Sequence, residues 1–348
     1  MHPLNPNPGI TVGQLGEIEL IRRITEWLGS VNPPSPEGIG DDCAVYQPEG
    51  GRPQLITTDP VIDGYHFDDT VPPGCVGAKL LKRNISDVAA MGGRPHRAVL
   101  SLALPATTGL EWLRDFCGGL RECALEYETL VVGGDVAQTS GPLTANLTLI
   151  GDAPSGRVLT RRGAAIGDHL LVTGELGGSL KGHHYRFSPR VKEGVWLAGL
   201  PEVRAMIDLS DGLAKDLPAL LPQDGQAELD WEALPIREEV PREPGDDVAD
   251  RWVHALCDGE DYELLFTLDE TASVPDFLRR WQAALPTRVT LIGSIAHLPE
   301  DATEAPPIRI PPGYPQLKSL RAHEHFRTAR PHRGYNIRLK QSPPNQAP

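Results

Sequence analysis

Short acidic motifs recur along this chain and restrict its fold more than any other feature. They are Asp41-Asp42 in GIGDD, Asp59 in TTD, Asp87 in NISD, Asp135 in GGD, and Asp208 with Asp211 in DLSD. Each adjoins a short apolar run, so each carboxylate is expected at a strand end or helix start, where side chains from distant segments can meet. Buried carboxylates brought together repel one another and cost roughly several kcal/mol unless cations or donors offset them. Hard cations with oxygen ligands are the natural offset. Magnesium in particular binds through a few carboxylates plus substrate phosphates, so the pattern points to a site completed by a nucleotide phosphate chain. The plainer alternative for any single motif is a turn or helix cap, for which Asp beside Gly, Ser or Thr is well suited.

A chain of 348 residues is too long for one ordinary core and fits two domains. Lys and Arg number 33 against 47 Asp and Glu, and a net charge of -14 argues against general nucleic-acid binding, which needs a basic face. An acidic protein that handles polyphosphates must supply positive charge locally, through metals and a few arginines. The opening MHPLNPNPGI lacks a basic start with an apolar core, and no apolar run approaches the ~20 residues of a membrane span. The expectation is a cytoplasmic protein without membrane partners. Cys43, Cys75, Cys117, Cys123 and Cys257 are odd in number and form no CxxC pair, so buried, reduced thiols are expected rather than a disulfide framework or zinc site.

After a loose start, apolar Ile18, Ile21, Ile24 and Leu28 fall at helical spacing and predict a helix over Gly16 to Leu28. Strands are expected at Cys43–Tyr46, Gln54–Thr58, Ala98–Leu104, Leu130–Val132 and Leu143–Ile150, with helices at Gly77–Met91 and Leu110–Tyr127. A Gly, Ser, Arg and Ala-rich stretch from Gly151 to Gly167 reads as a hinge. Beyond it the spacing predicts strands at His169–Thr173, Met206–Leu209, Tyr262–Thr267 and Val289–Ile292, and helices at Asp211–Leu221 and Val274–Ala284. The domains expected are 15–152 and 153–328, between a flexible 1–14 and a disordered tail, 329–348, both sheets being mixed with helices in an α+β class.

The strings GIGDDCAV, TTDPVIDGYHF, NISDVAAMGG, VVGGD, LTRRGAAIGDHLLVTG, MIDLSDGLAKDL and DGEDYELLFT occur in this order. Together they resemble the thiamine-monophosphate kinase family, within the aminoimidazole ribonucleotide synthetase superfamily, over about Leu15 to Phe326. The resemblance implies a two-domain fold whose N-terminal domain forms a dimeric β-barrel and whose C-terminal domain is an α/β sandwich. It implies a homodimer that transfers a phosphoryl group from ATP to thiamine monophosphate with several Mg2+ ions and no covalent intermediate. Phosphoryl transfer requires mainly positioning and charge neutralisation, which a carboxylate and metal cluster can provide. Neither a P-loop nor a protein-kinase glycine loop occurs; GELGGSLKG at Gly174–Gly182 comes nearest, with Ser179 where the second P-loop glycine belongs.

Position by position, the family's pattern assigns Asp42, Thr57, Thr58, Asp59, Asp87, Asp135, Asp208 and Asp211 to metal, with Asp41 a neighbour. It assigns Gly134, Asp135, Arg161 and Ser210 to ATP, and His66, Glu260 and His323 to the thiamine substrate. Gly134 is expected to let the backbone approach a phosphate. Arg161 could otherwise be a solvated hinge cation, Ser210 an N-cap, His66 a packed loop histidine and Glu260 a surface glutamate. The sequence departs from the family at His323, where an aromatic is usual (Tyr335 lies beyond, off register), at Val136 after GGD, and in a shortened segment before Ser188. His183-His184 and His323-Glu324-His325 have no accompanying ligand spacing and read as solvated. Two rivals remain: a sister activity of the superfamily, although no early Gly-rich cysteine or C-terminal cysteine is present, and a nucleotide-binding homologue without turnover.

Overall fold

The computed structural model describes residues 10–240, 248–299, 305–314 and 317; His323, Tyr335 and the expected tail lie outside the described residues. The segment ending at Gly29 belongs to a unit of its own and carries α1 (Val12–Leu15) and α2 (Glu17–Leu28). As the spacing predicts, Ile18, Ile21 and Ile24 share one stripe of α2, but all three are exposed. Glu19 pairs with Arg22 and Arg23 one turn on.

In the larger unit the first sheet comprises β1 (Ala44–Tyr46), β2 (Gln54–Ile62), β3 (Arg94–Pro105), β4 (Leu130–Thr139) and β5 (Thr144–Asp152), in the order β1-β2-β5-β3-β4. All neighbours are antiparallel except β3 and β4, which are parallel because α4 (Leu110–Glu126) crosses over between them. The sheet is open within one chain, with β1 and β4 at its edges. Alternation along the strands sends Leu55, Val61, Ala98, Leu147 and Leu149 into a core with Val76, Leu80, Ile85 and Val88 of α3 (Pro73–Ala90) and Phe116 of α4. On the other face Ile56, Val99 and Ile150 are exposed; Val136, on the core side of the edge strand β4 in register with Leu102, is exposed as well.

The second sheet contains β6 (His169–Thr173), β7 (Val203–Asp208), β8 (Gly225–Leu229), β9 (Leu264–Leu268) and β10 (Val289–His297), ordered β7-β9-β6-β10-β8 and antiparallel throughout. Its central strands are buried on both faces, hence the near-continuous apolar runs HLLVT and LLFTL. One face packs on Leu213, Leu217, Trp252 and Leu256; the other packs on Leu197, Phe277 and Trp281. The helices are α5 (His183–Arg186), α6 (Val191–Ala198), α7 (Leu213–Asp216), α8 (Val248–Cys257) and α9 (Val274–Ala284).

Several boundaries differ from the sequence expectation for identifiable reasons. The helix expected over Asp211–Leu221 is α7 followed by a 3-10 turn at Leu217–Leu220, where Pro218 cannot continue the α-helical bonding. Helix α3 begins at Pro73 rather than Gly77, because Gly74 and Gly77 are contact points with α4 rather than breakers. Buried thiols are found at Cys43, Cys123 and Cys257, whereas Cys117 is exposed and Cys75 half-buried; all five are free. Among the described residues no helix is long and apolar enough to cross a membrane.

The crossing of α3 and α4 is close enough to test. A β-carbon on Gly119 would lie 1.9 Å from the Gly74 carbonyl oxygen, whereas one on Gly118 meets nothing within 4 Å. Gly119→Ala should therefore destabilise the protein by about 1–3 kcal/mol, while Gly118→Ala should stabilise it by about 0.5–1 kcal/mol through helix propensity. Paired chemical-denaturation curves would check both signs.

Candidate active site

Both sheets send polar side chains to α3. On this helix Lys79, Arg83, Asn84 and Ser86 are buried and Asp87 is half-buried, although Val76, Leu80, Leu81, Ile85 and Val88 make the rest of its circumference apolar. A buried polar side chain needs a partner to replace water, and each has one. Asp87 Oδ2 accepts from Thr57 Oγ1 of β2 at 2.6 Å. Ser86 Oγ donates to Asp208 Oδ2 at the end of β7, at 2.5 Å. Asn84 Oδ1 accepts the Asp59 N–H at 3.0 Å. Arg83 lies 3.2 Å from the Asp59 carboxylate and donates to the Pro60 carbonyl at 2.8 Å.

Around this helix the carboxylates of Asp42, Asp87 and Asp208 converge, one oxygen from each lying within 4.8 Å of the others. Burial pushes the Asp208 carboxyl up to about 7, aided by the charge of Asp42. Burial likewise pushes Asp87 well up, with Asp59, Asp208 and Asp42 adding to it. Asp42 is also raised by burial, although Arg161 opposes the shift: its Nη2 donates to Asp42 Oδ1 at 2.5 Å. The other oxygen, Asp42 Oδ2, is buried with no hydrogen-bond partner. A carboxylate with one orphaned oxygen, grouped with two more carboxylates, fits a hard divalent cation, whose bonds of about 2.1 Å to oxygen allow one or two ions to bridge such a span.

The remaining expected residues are distributed as follows. Asp41 accepts the Arg161 N–H at 3.2 Å and is raised to about 6 by burial and by Asp42. Asp59 is held by Arg83 next to the cluster. Thr58 points to the face of β2 opposite Thr57, its hydroxyl donating to the Leu147 carbonyl. Asp211 lies outside the triad and pairs with Lys215 at 2.6 Å, while Asp216 accepts the N–H groups of Asp211 and Gly212. Asp135 is exposed on β4, in register with exposed Ser101, and so belongs to the outward face of the sheet rather than the face of Thr57. Gly134 has a local reason to be glycine that differs from the expected one: a β-carbon would lie 1.8 Å from the Leu100 carbonyl of β3. Ser210 is not an N-cap, since Gly212 precedes α7; its carbonyl accepts the Glu260 N–H at 2.7 Å.

His66 and Glu260 are joined by a residue that the sequence reading does not single out. Lys79, fully buried, donates to both Glu260 oxygens at 2.9 and 2.8 Å and to the His66 carbonyl at 2.7 Å, and meets His184 Nδ1 at 2.9 Å. Glu260 is therefore no surface glutamate. Burial alone would raise its pKa, but Lys79, His184 and Arg83 outweigh it and hold the carboxylate below the usual range. Nor are the histidines solvated: His184 is buried, and His183 Nε2 lies 3.2 Å from the Asp261 carbonyl. His66 Nδ1 accepts the Ile62 N–H at 3.1 Å, which leaves Nε2 as the donor nitrogen of the neutral ring. The sequence signal for Lys79 and Arg83 was available: a helix apolar on most sides leaves solvent access around Cys75, Ala78 and Lys82, and neither Lys79 nor Arg83 lies there.

Residues 40–153 match the family model described as AIR synthase related protein, N-terminal domain. The chain is 39% identical to the thiamine-monophosphate kinase of Rhodopirellula baltica over 238 residues, covering 66% of this chain and 75% of the relative. It is 36% identical to the enzyme of that name from Escherichia coli strain K12 over 277 residues, covering 73% and 83%. A solved structure described as AaThiL complexed with AMPPCP and TMP superposes with a TM-score of 0.70 at 28% identity, covering 83% of this chain and 93% of that one.

Two outcomes follow from the electrostatics. The raised carboxyls bind protons in the folded state that the unfolded chain releases near pH 4, so their stabilising contribution is complete below that pH and is lost as pH rises through about 7. In chelator, melting temperature should fall between about pH 5 and about pH 8, and magnesium should restore most of the loss. Asp208→Asn should flatten the profile; equal slopes in chelator and magnesium would contradict it. Lys79→Met leaves Glu260 buried without its cation and should cost about 3–5 kcal/mol, part of it recovered by adding Glu260→Gln, as denaturation midpoints would show.

Proposed function

The chain belongs to the thiamine-monophosphate kinase family, and on that premise we propose that it transfers the γ-phosphoryl group of ATP to thiamine monophosphate, giving thiamine diphosphate. The observation that carries the reading is the convergence of Asp42, Asp87 and Asp208 with one oxygen of Asp42 left unpartnered. Asp42, Thr57, Asp87 and Asp208 would hold Mg2+, with Asp59 beside them; Thr58 and Asp135, on the outward face of the first sheet, and Asp211, paired with Lys215, would serve further ions away from this cluster. Bound there, the metal supplies neutralisation of the charge on the transferring phosphoryl oxygens.

The chain's own groups do the positioning. Arg161, about one-third exposed and anchored by Asp42, presents the rest of its guanidinium to a phosphate at the cluster, with Gly134 and Ser210 near the nucleotide. His66 donates from Nε2 to the acceptor phosphate. Glu260, its charge already offset by Lys79, accepts hydrogen bonds from the aminopyrimidine better than it serves as a bare counter-ion. His323 is assigned to the same substrate end. A phosphate monoester is largely ionised near neutral pH, so the acceptor needs no general base.

The finer architecture belongs to the same reading. Residues 15–152 form the nucleotide, metal and dimerisation domain and 153–328 the second, the two sheets falling on either side of Asp152 in sequence. The outward apolar face of the first sheet, with Ile56, Val99 and Ile150, pairs with a second copy to close a barrel, a use that accounts for its exposure. Five free cysteines accord with a cytoplasmic location.

The test is ADP release measured with and without thiamine monophosphate in magnesium. ATP binding without acceptor-dependent ADP would identify a non-catalytic homologue. Asp87→Asn should lower turnover by at least about a hundredfold with little change in melting temperature, and near-native turnover would remove the cluster from the mechanism.

A further inference from the structure

A cavity of about 490 Å³ opens beyond the ends of β6 and β9, on the other side of α5 from Glu260. The backbone alternates between the two places. His184 turns to Lys79 and Glu260, whereas its neighbour His183 lines the cavity. Along the segment preceding β9, Glu260 goes to Lys79, while Asp258 accepts the N–H of Gly178, which lines the cavity, at 2.6 Å and Asp261 that of the adjacent Gly177 at 3.0 Å.

Arg237 lines this cavity and is only 7% exposed. Its Nη1 donates to the Gly177 carbonyl at 2.7 Å and pairs with Asp261, but its Nη2 is buried with no hydrogen-bond partner. Ser179 Oγ, in the turn between the lining residues Gly178 and Gly182, is buried and unpartnered as well. A guanidinium N–H withdrawn from water without an acceptor is costly, so the Arg237 charge is only partly offset by its protein partners, and an anion in the cavity that Arg237 lines would offset the rest.

Two more lining cations have no carboxylate partner among the described residues. Lys181 reaches only the Glu239 carbonyl, at 3.3 Å, and Arg186 lies over the Tyr185 ring. Arg190, by contrast, is already neutralised by Glu263 at 2.6 Å. Glu175 and Glu239 also line the cavity, so an extended polyanion would meet repulsion there that a compact anion avoids.

We propose that this cavity binds a compact dianion, a phosphate ester or a dicarboxylate, through Arg237, Lys181 and Arg186. The site is separate from the carboxylate cluster. Its occupant would brace Gly177, Gly178 and the segment 258–263, which also presents Glu260.

Calorimetric titration of the full chain in chelator, with inorganic phosphate and with succinate as probes, tests the assignment. Saturable binding of at least one is expected, and which one binds identifies the chemistry. Lys181→Met combined with Arg186→Met, both outside the proposed catalytic machinery, should weaken it about tenfold or more with an unchanged melting temperature. Asp208→Asn should leave it intact. Absence of saturable binding, wild-type affinity in the double variant, or loss of binding in Asp208→Asn would each overturn the assignment.

Discussion

The constraint on which this molecule depends is the burial of most of α3, polar residues included. A helix with Leu80, Leu81, Ile85 and Val88 on its apolar sides would be an ordinary core element, were it not that Lys79, Arg83, Asn84 and Ser86 are buried with them. Each polar group must then be matched by a partner from elsewhere, and the partners come from β2, from β7 and from the segment before β9. The two sheets are thereby tied to one helix by bonds that have no substitute in solvent. Packing supplies the energy of this arrangement, and the polar pairs select which side chains face one another.

The same helix explains how an acidic chain can assemble anionic groups at all. Asp42 and Asp208 are held where burial and mutual repulsion raise their carboxyls, with Arg161 and Ser86 offsetting part of the cost. What remains uncompensated is concentrated in one place. A site that is unfavourable when empty of positive charge is one that a divalent ion and a nucleotide can complete, so its electrostatic debt and its affinity have the same origin.

Much of this was legible in the residues, and the failures are instructive. The strands His169–Thr173 and the helix Val274–Ala284 coincide with the expected bounds because apolar runs and a proline after Ser273 mark them locally. Asp42, Asp87 and Asp208 were identifiable by motif and do meet. Other assignments depended on orientation that no motif carries: Thr57 and Thr58 are neighbours in sequence and point to opposite faces, and Asp135 lies on the outward face of its sheet. The continuation of β4 past Val132 was hidden by Gly133-Gly134, which reads as a turn but lies flat against β3. Helices α1, α5, α6 and α8 and strand β8 were missed, α6 because VKEGVWLA is short and interrupted by glycine. That glycine, Gly194, is where α6 meets α3, since a β-carbon there would lie 2.1 Å from the Ala89 carbonyl.

Glu260 and Tyr262 both adopt left-handed backbone with φ of 52°, a region that costs a residue bearing a side chain about 1 kcal/mol or more. Nothing local repays this; Tyr262 stacks on Phe187 with centroids 3.9 Å apart, and Glu260 is clamped by Lys79. The bend before β9 therefore has no preference for its final shape until α3 and the segment around Phe187 are already in position. Its shape is dictated by tertiary contacts and not by local preference, so whatever loosens α3 or the segment around Phe187 also loosens the position of the Glu260 carboxylate.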